Sequence, residues 1–138
     1  MTLRVTVSGV GRLAARLGRL ADRVELAVQA AVAEGADDLR QEARALLNVP
    51  GAGAPSAPGA PPRRQTGRLR DSLRVEIAPD RLSATVGTDL GYGADLEFGT
   101  QDLAPRPWLQ PAAQNAAPRI KTRIEDAVRE ALRRSVRH

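Results

Sequence analysis

Apolar and polar residues alternate at the start of the chain. Leu3, Val5 and Val7 are separated by Arg4 and Thr6, and this period of two predicts a short half-buried strand. Ser8 and Gly9 break the pattern, and Ser8 is placed to cap the next element. From Val10 the period becomes helical. Val10, Leu13, Leu17, Leu20, Val24, Val28, Ala31, Leu39, Ala43 and Leu46 fall on one face, while Arg12, Arg16, Arg19 and Arg23 fall largely on the other. The helix is expected to run to about Leu47, which is long for a domain of 138 residues. Two alternatives are open: it projects and packs on a neighbouring subunit, or it breaks near Gly35. The apolar heptad of Val10, Leu17, Val24 and Ala31 fails at Asp38, which argues against a long coiled coil.

The segment 48–65 reads NVPGAGAPSAPGAPPRRQ. It has no large aliphatic residue beyond Val49, so it cannot build a core and is expected to be a mobile loop. Order is expected to return at Thr66, where Thr66, Gly67, Arg68 and Leu69 form a turn into a strand. Leu73, Val75 and Ile77 alternate with Ser72, Arg74 and Glu76, and Leu82, Ala84 and Val86 alternate with Arg81, Ser83 and Thr85. With Pro79-Asp80 between them, these runs predict a β-hairpin. Tyr92 to Phe98 is a third strand or a short helix, followed by Gly99 as a positive-φ residue. Pro107 and Pro111 suit the opening of a C-terminal helix. Pro118 predicts a kink or restart, and Ile120, Ile124, Val128, Leu132 and Val136 continue as an i, i+4 stripe. Arg129, Arg133, Arg134 and Arg137 suit the last turns.

These elements predict a single α+β domain over residues 1–138. A small antiparallel sheet, made of the N-terminal strand, the hairpin and the third strand, is covered by a long N-terminal helix and a C-terminal helix.

Composition narrows the chemistry. There is no cysteine, which excludes disulfides, thiol catalysis and cysteine-ligated metals. The one histidine, His138, is the last residue, where a fixed catalytic position is hard to arrange. Asp37-Asp38 and Glu125-Asp126 are neighbours on helices, where adjacent side chains point apart, so solvated faces explain them. Neither Gly51-Ala52-Gly53 nor Gly91-Tyr92-Gly93 has the spacing of a phosphate loop. No cofactor and no metal are expected. No apolar run approaches the ~20 residues of a membrane span, and the first residues lack a signal-peptide pattern. The net charge of +5 and pI near 11.1 admit a nucleic-acid contact, but acids are interleaved with the bases. Lys121 is the sole lysine, and abundant Arg and Ala also fit a GC-rich genome.

The three aromatic residues, Tyr92, Phe98 and Trp108, all lie within Gly91–Pro111. Large rings anchor cores and interfaces, so this segment marks a structural knot. Glu97, between Leu96 and Phe98, needs a partner near the core, and Arg68 and Arg106 are the candidates.

Three ordered blocks carry a resemblance. They are Thr66-Gly67-Arg68-Leu69-Arg70-Asp71-Ser72-Leu73, followed by Val86-Gly87-Thr88; Tyr92-Gly93-Ala94 with Leu96-Glu97-Phe98-Gly99-Thr100; and Arg106-Pro107-Trp108-Leu109 with Pro111-Ala112. Together they resemble a neck and tail-completion family of long-tailed bacteriophages, typified by gene product ten of coliphage HK97. The resemblance covers the stretch from Thr66 to Ala112. Gly93 beside the usual Ala, Trp108 in place of the usual Phe, and a longer Pro/Ala-rich insertion are departures from the family pattern.

The resemblance implies no enzyme activity. It implies a homo-oligomeric ring at the head–tail junction of a virion, six-fold as phage tails suggest, assembled in the host bacterial cytoplasm. Its implied partners are further copies of itself and adjacent neck and tail proteins, with non-specific contact to genome DNA in the lumen and no membrane. The rival expectation is a small basic nucleic-acid-binding protein.

Overall fold

The apolar face that starts at Val10 forms one uninterrupted helix. In the computed structural model, which describes residues 4–6, 8–48, 56–60, 62 and 67–136, helix α1 spans Val10–Leu47. Its 38 residues extend about 57 Å at 1.5 Å per residue. Gly9, at φ 87°, occupies the N-cap without a side-chain hydrogen bond, so the cap expected from Ser8 is not made.

Gly35 does not break α1; it admits a partner. A Cβ placed on Gly35 would sit 3.0 Å from Ile120 Cγ2. Ile120 belongs to α4, Leu109–Val136, which runs through Pro118 as one helix. The restart expected at Pro118 therefore does not occur. The order of the bridging pairs makes the two helices antiparallel. Arg23 reaches Ser135, Arg123 reaches both Glu34 and Asp38, and Arg119 reaches Glu42. Buried positions on the two helices are mostly small: Ala31, Ala36 and Ala43 on α1, and Ala112, Ala116 and Ala131 on α4. Small side chains let two helix backbones approach, and larger neighbours then fill the remaining space.

Between the long helices the chain makes a short helix α2, Arg68–Ser72, and then the hairpin. Strands β1, Arg74–Ile77, and β2, Ala84–Gly87, pair antiparallel, with Arg74 opposite Gly87 and Val75 opposite Val86. The turn falls at Pro79-Asp80 as the sequence predicts. Ala78 N–H donates to Ser83 at 3.0 Å, and Asp80 accepts from the Leu82 amide at 3.0 Å. The hairpin packs along α1, and Gln29 of α1 donates to the Asp80 carbonyl at 3.1 Å.

The sheet is smaller than expected. Among the described residues it has two strands. Gly91–Phe98, expected in the sheet as a third strand, is helix α3. Its sequence lacks the alternation of a strand, and a helix there packs Gly93 inward against Trp108. The expected N-terminal strand is also missing where it can be seen. Residues 4–6 have no strand pairing and Val5 is 82% exposed, while Leu3 and Val7 lie outside the described residues. The domain remains α+β, but mostly helical.

The core is at one end. Ala43 and Leu47 of α1, Leu69 and Leu73 around α2, and Trp108 and Ala112 at the start of α4 form one buried cluster. Leu39, Leu46, Leu90, Leu96 and Leu109 pack against it. The other end of α1 is bare: residues 10–19 are exposed throughout.

This asymmetry has a measurable consequence. Leu47→Ala should cost the isolated subunit about 2–5 kcal/mol, the range for truncating a buried leucine. Leu17→Ala, at a position 56% exposed, should cost no more than about 0.5 kcal/mol. Urea denaturation followed by circular dichroism compares them directly, and equal losses would contradict a core confined to one end.

Candidate functional site

The marked residues converge on the first turn of α4. A helix begins with four backbone N–H groups that have no partner inside it. For α4 these belong to Trp108, Leu109, Gln110 and residue 111. Residue 111 is proline, which has no N–H. The other three are taken by a single side chain. Glu97 Oε2 accepts from the Trp108 and Leu109 amides at 2.7 and 2.8 Å, and Oε1 accepts from Gln110 at 2.9 Å. The carboxylate also meets the positive end of the helix dipole.

Glu97 is thus a helix cap supplied from a separate helix. Its expected partners, Arg68 and Arg106, are replaced by backbone amides. Arg106 instead turns to carbonyls. Its Nε donates to Ser56 at 3.1 Å, and its own amide donates to Leu96 at 2.6 Å. Through Ser56, together with a 2.8 Å bond from Gly59 N–H to the Pro105 carbonyl, part of the Pro/Ala-rich segment is pinned to the site. Ser56 is buried. Residues 56–60 of the expected loop thus touch the site through Ser56 and Gly59; most of the rest of 48–65 lies outside the described residues.

Trp108 is 2% exposed, as its role as an anchor predicts. It meets α3 and not the sheet: its indole Nε1 donates to the Gly93 carbonyl at 2.9 Å. Gly93 has no room for a side chain. A Cβ there would lie 2.7 Å from Thr88 Cγ2 and 3.1 Å from Leu69 Cδ1. Gly99 closes α3 at φ 76°, and a Cβ on it would approach the Leu103 carbonyl to 2.8 Å. The turn it allows is held by paired bonds between Thr100 and Leu103, and it returns the chain to Arg106-Pro107-Trp108.

The first block joins the same knot from the other side. Gly67, at φ 79°, opens α2, and Leu69 is buried in the cluster. The Ser72 and Thr88 hydroxyls lie 2.6 Å apart, and Thr88 accepts from the Leu90 amide at 3.1 Å. Leu96 and Leu109 are half-buried against the cluster and Pro111 is half-buried in the first turn. Arg68 stays at the surface, and Thr66 lies outside the described residues. Tyr92 and Phe98 are not core residues: they are 41% and 79% exposed.

Sequence reasoning missed several contributors. Asp38, read as a solvated charge, bonds Arg123 at 2.7 Å across the helix pair. The Arg123 pKa is raised further above its ordinary value, chiefly by the hydrogen bond to Asp38, with Glu34 adding to it. No local pattern announces a pair 85 residues apart. Gly93 had a usable signal, since a glycine inside a helix is costly unless close packing requires it. Thr88 had none. The arrangement orients and fastens, and places no nucleophile beside a base. Among the described residues no three His, Asp or Glu side chains are grouped to hold a metal, and no helix is long and apolar enough to cross a membrane.

This knot of capping and packing residues overlaps a stretch shared with known proteins. A family model described as "Bacteriophage HK97-gp10, putative tail-component" matches residues 11–99. No curated protein and no solved structure matches.

Two substitutions test the knot. Glu97→Ala leaves three amides of α4 without their acceptor and should cost about 1.5–3 kcal/mol, the range for hydrogen bonds to a charged group. Gly93→Ala overpacks the Thr88–Trp108 contact and should cost about 1–3 kcal/mol, with a red shift of Trp108 fluorescence as the ring is displaced. Urea midpoints within about 0.5 kcal/mol of the parent for either variant would remove that residue from the knot.

Proposed function

The chain belongs to the HK97-gp10-like family of bacteriophage tail components, and from that premise we propose that it is a ring-forming neck or tail-completion subunit. In this reading further copies close a ring at the head–tail junction, and the ring joins the tail to the DNA-filled head. The site residues act structurally, and no substrate is turned over. Adjacent neck and tail proteins are the axial partners. Genome DNA crosses the lumen and is met without sequence readout. Assembly takes place in the host bacterial cytoplasm.

The observation that supports this reading most is the bare half of α1. Val10, Leu13 and Leu17 are each more than half exposed, on a helix whose opposite end is locked into the core. Large exposed apolar patches mark interaction surfaces. A rigid hub with a projecting apolar arm suits a subunit that is completed by its neighbours.

A second reading, a nucleic-acid-binding protein, is favoured by one observation. Arg12, Arg16 and Arg19 lie on the exposed stretch of α1 and form no ion pair among the described residues. A salt titration separates the two: tight duplex binding by the isolated subunit, weakening steeply with salt, marks the rival.

Deleting the gene from its phage should leave DNA-filled heads and separate tails in the lysate, restored to joined particles when the protein is supplied in trans. Electron microscopy reads the outcome. Normal joined, infectious particles without the gene would overturn the junction role.

A further inference from the structure

The two ends of the molecule are unlike. At the distal end, Val10, Leu13 and Leu17 are 61%, 56% and 56% exposed. With Leu20 and Val24 they form a seam with alternating steps of three and four residues, the spacing of a helix that packs along one line. The end of α4 continues the apolar surface, since Leu132 and Val136 are 42% and 87% exposed. Arg16 and Arg23 flank this seam, Arg12 and Arg19 stand on the far face of the helix, and the only acids on this stretch are Asp22 and Glu25.

Along the segment that carries α3 the charge is reversed. No basic residue occurs between Arg81 and Arg106, whereas Asp89, Asp95, Glu97 and Asp102 do. Asp89 is paired with Arg74 and Glu97 caps α4. Asp95 and Asp102 are exposed and have no ion pair among the described residues. Beside them stands Phe98, 79% exposed, which is a poor position for a large ring unless something covers it. Tyr92, Asp95 and Phe98 succeed one another at three-residue steps along the surface of α3.

We propose that the distal seam of α1 docks on the α3 face of a second copy, with Phe98 as the apolar anchor and Asp95 and Asp102 facing the flanking Arg16 and Arg23. This rests on the ring reading and names its interface. The seam is a poor match for itself. Its flanking positions are Arg16 and Arg23 on one side and Ala14 and Ala21 on the other. Two seams side by side would bring arginine to arginine or to alanine, with no acid to oppose them. The two surfaces also cannot meet within one chain. Leu17 lies 26 residues from Ala43 of the core cluster, about 39 Å along the helix. A contact between unlike ends is heterologous, and its repetition closes a ring when the rotation allows.

The chain has no cysteine, so two can be introduced cleanly. Full-length Leu17→Cys and Phe98→Cys subunits are mixed and treated with a short bis-maleimide, while the parent chain is sedimented in parallel. The expected result is a mixed Leu17–Phe98 dimer as the main product, with little cross-linking of either variant alone. A chain carrying both substitutions should give a ladder of covalent multimers. Asp95→Arg with Asp102→Arg should abolish the ladder while leaving the circular dichroism unchanged, and Arg16→Asp with Arg23→Asp in the same chain should restore it. Leu17–Leu17 products from a closed oligomer would overturn this interface and leave the ring standing. A parent chain that stays monomeric, or a seam protected only by DNA or another tail protein, would overturn the interface; a monomer would overturn the ring as well.

Discussion

Three amide hydrogens at the start of α4 have no acceptor within their own helix, and their satisfaction sets the architecture around them. Glu97 supplies that acceptor from a different helix. Because one carboxylate serves three consecutive amides, it fixes the distance and the angle between α3 and α4. That placement brings Trp108 under Gly93, and Trp108 then holds Leu69, Leu73, Ala43 and Leu47 in one cluster. Gly99 and Pro111 are needed for the same geometry, one because the turn requires positive φ, the other because the fourth amide is absent. Residues scattered over three blocks of sequence thus serve one local requirement.

The consequence is a molecule with a firm end and an unfinished end. Close to Trp108 the helices are locked by buried side chains and by the Glu97 carboxylate on the first amides of α4. Further along, α1 and α4 are held by alanine contacts and by ion pairs such as Arg123 with Asp38. Such pairs are half-exposed and individually worth little, but they set register. From Val10 to Arg19, α1 is uncovered by any of the described residues. In the proposed ring this division leaves the apolar surface of the arm for a neighbouring subunit to cover.

Much of this is legible in sequence. The period of apolar residues marks both long helices, and alternation with Pro79-Asp80 marks the hairpin. Of the three clustered aromatics only Trp108 anchors the knot, while Tyr92 and Phe98 are exposed; the positive φ of Gly99 is signalled by its place after Phe98. The illegible part depends on contacts distant in the chain. The setting of Glu97 between Leu96 and Phe98 signals a need for a partner, but local pattern favours side-chain cations over the amides of a helix eleven residues on. Tyr92 to Phe98 is open between strand and helix, because a short run that holds Gly93 and is flanked by Gly91 and Gly99 carries little propensity signal. Packing against Trp108 decides it. The strand expected at Leu3 to Val7 illustrates the reverse case in its described residues, 4–6, where alternation finds no neighbour to pair with among the described residues.

The central claim is that the bare arm of α1 is completed by a neighbouring subunit within the tail. Cryo-electron microscopy of the intact phage tests it most directly. The account predicts a closed ring of this chain at the junction of head and tail, with Val10 to Leu17 of each subunit buried against the next. A chain absent from the junction, or present with that arm free in solvent or in the lumen, would contradict it.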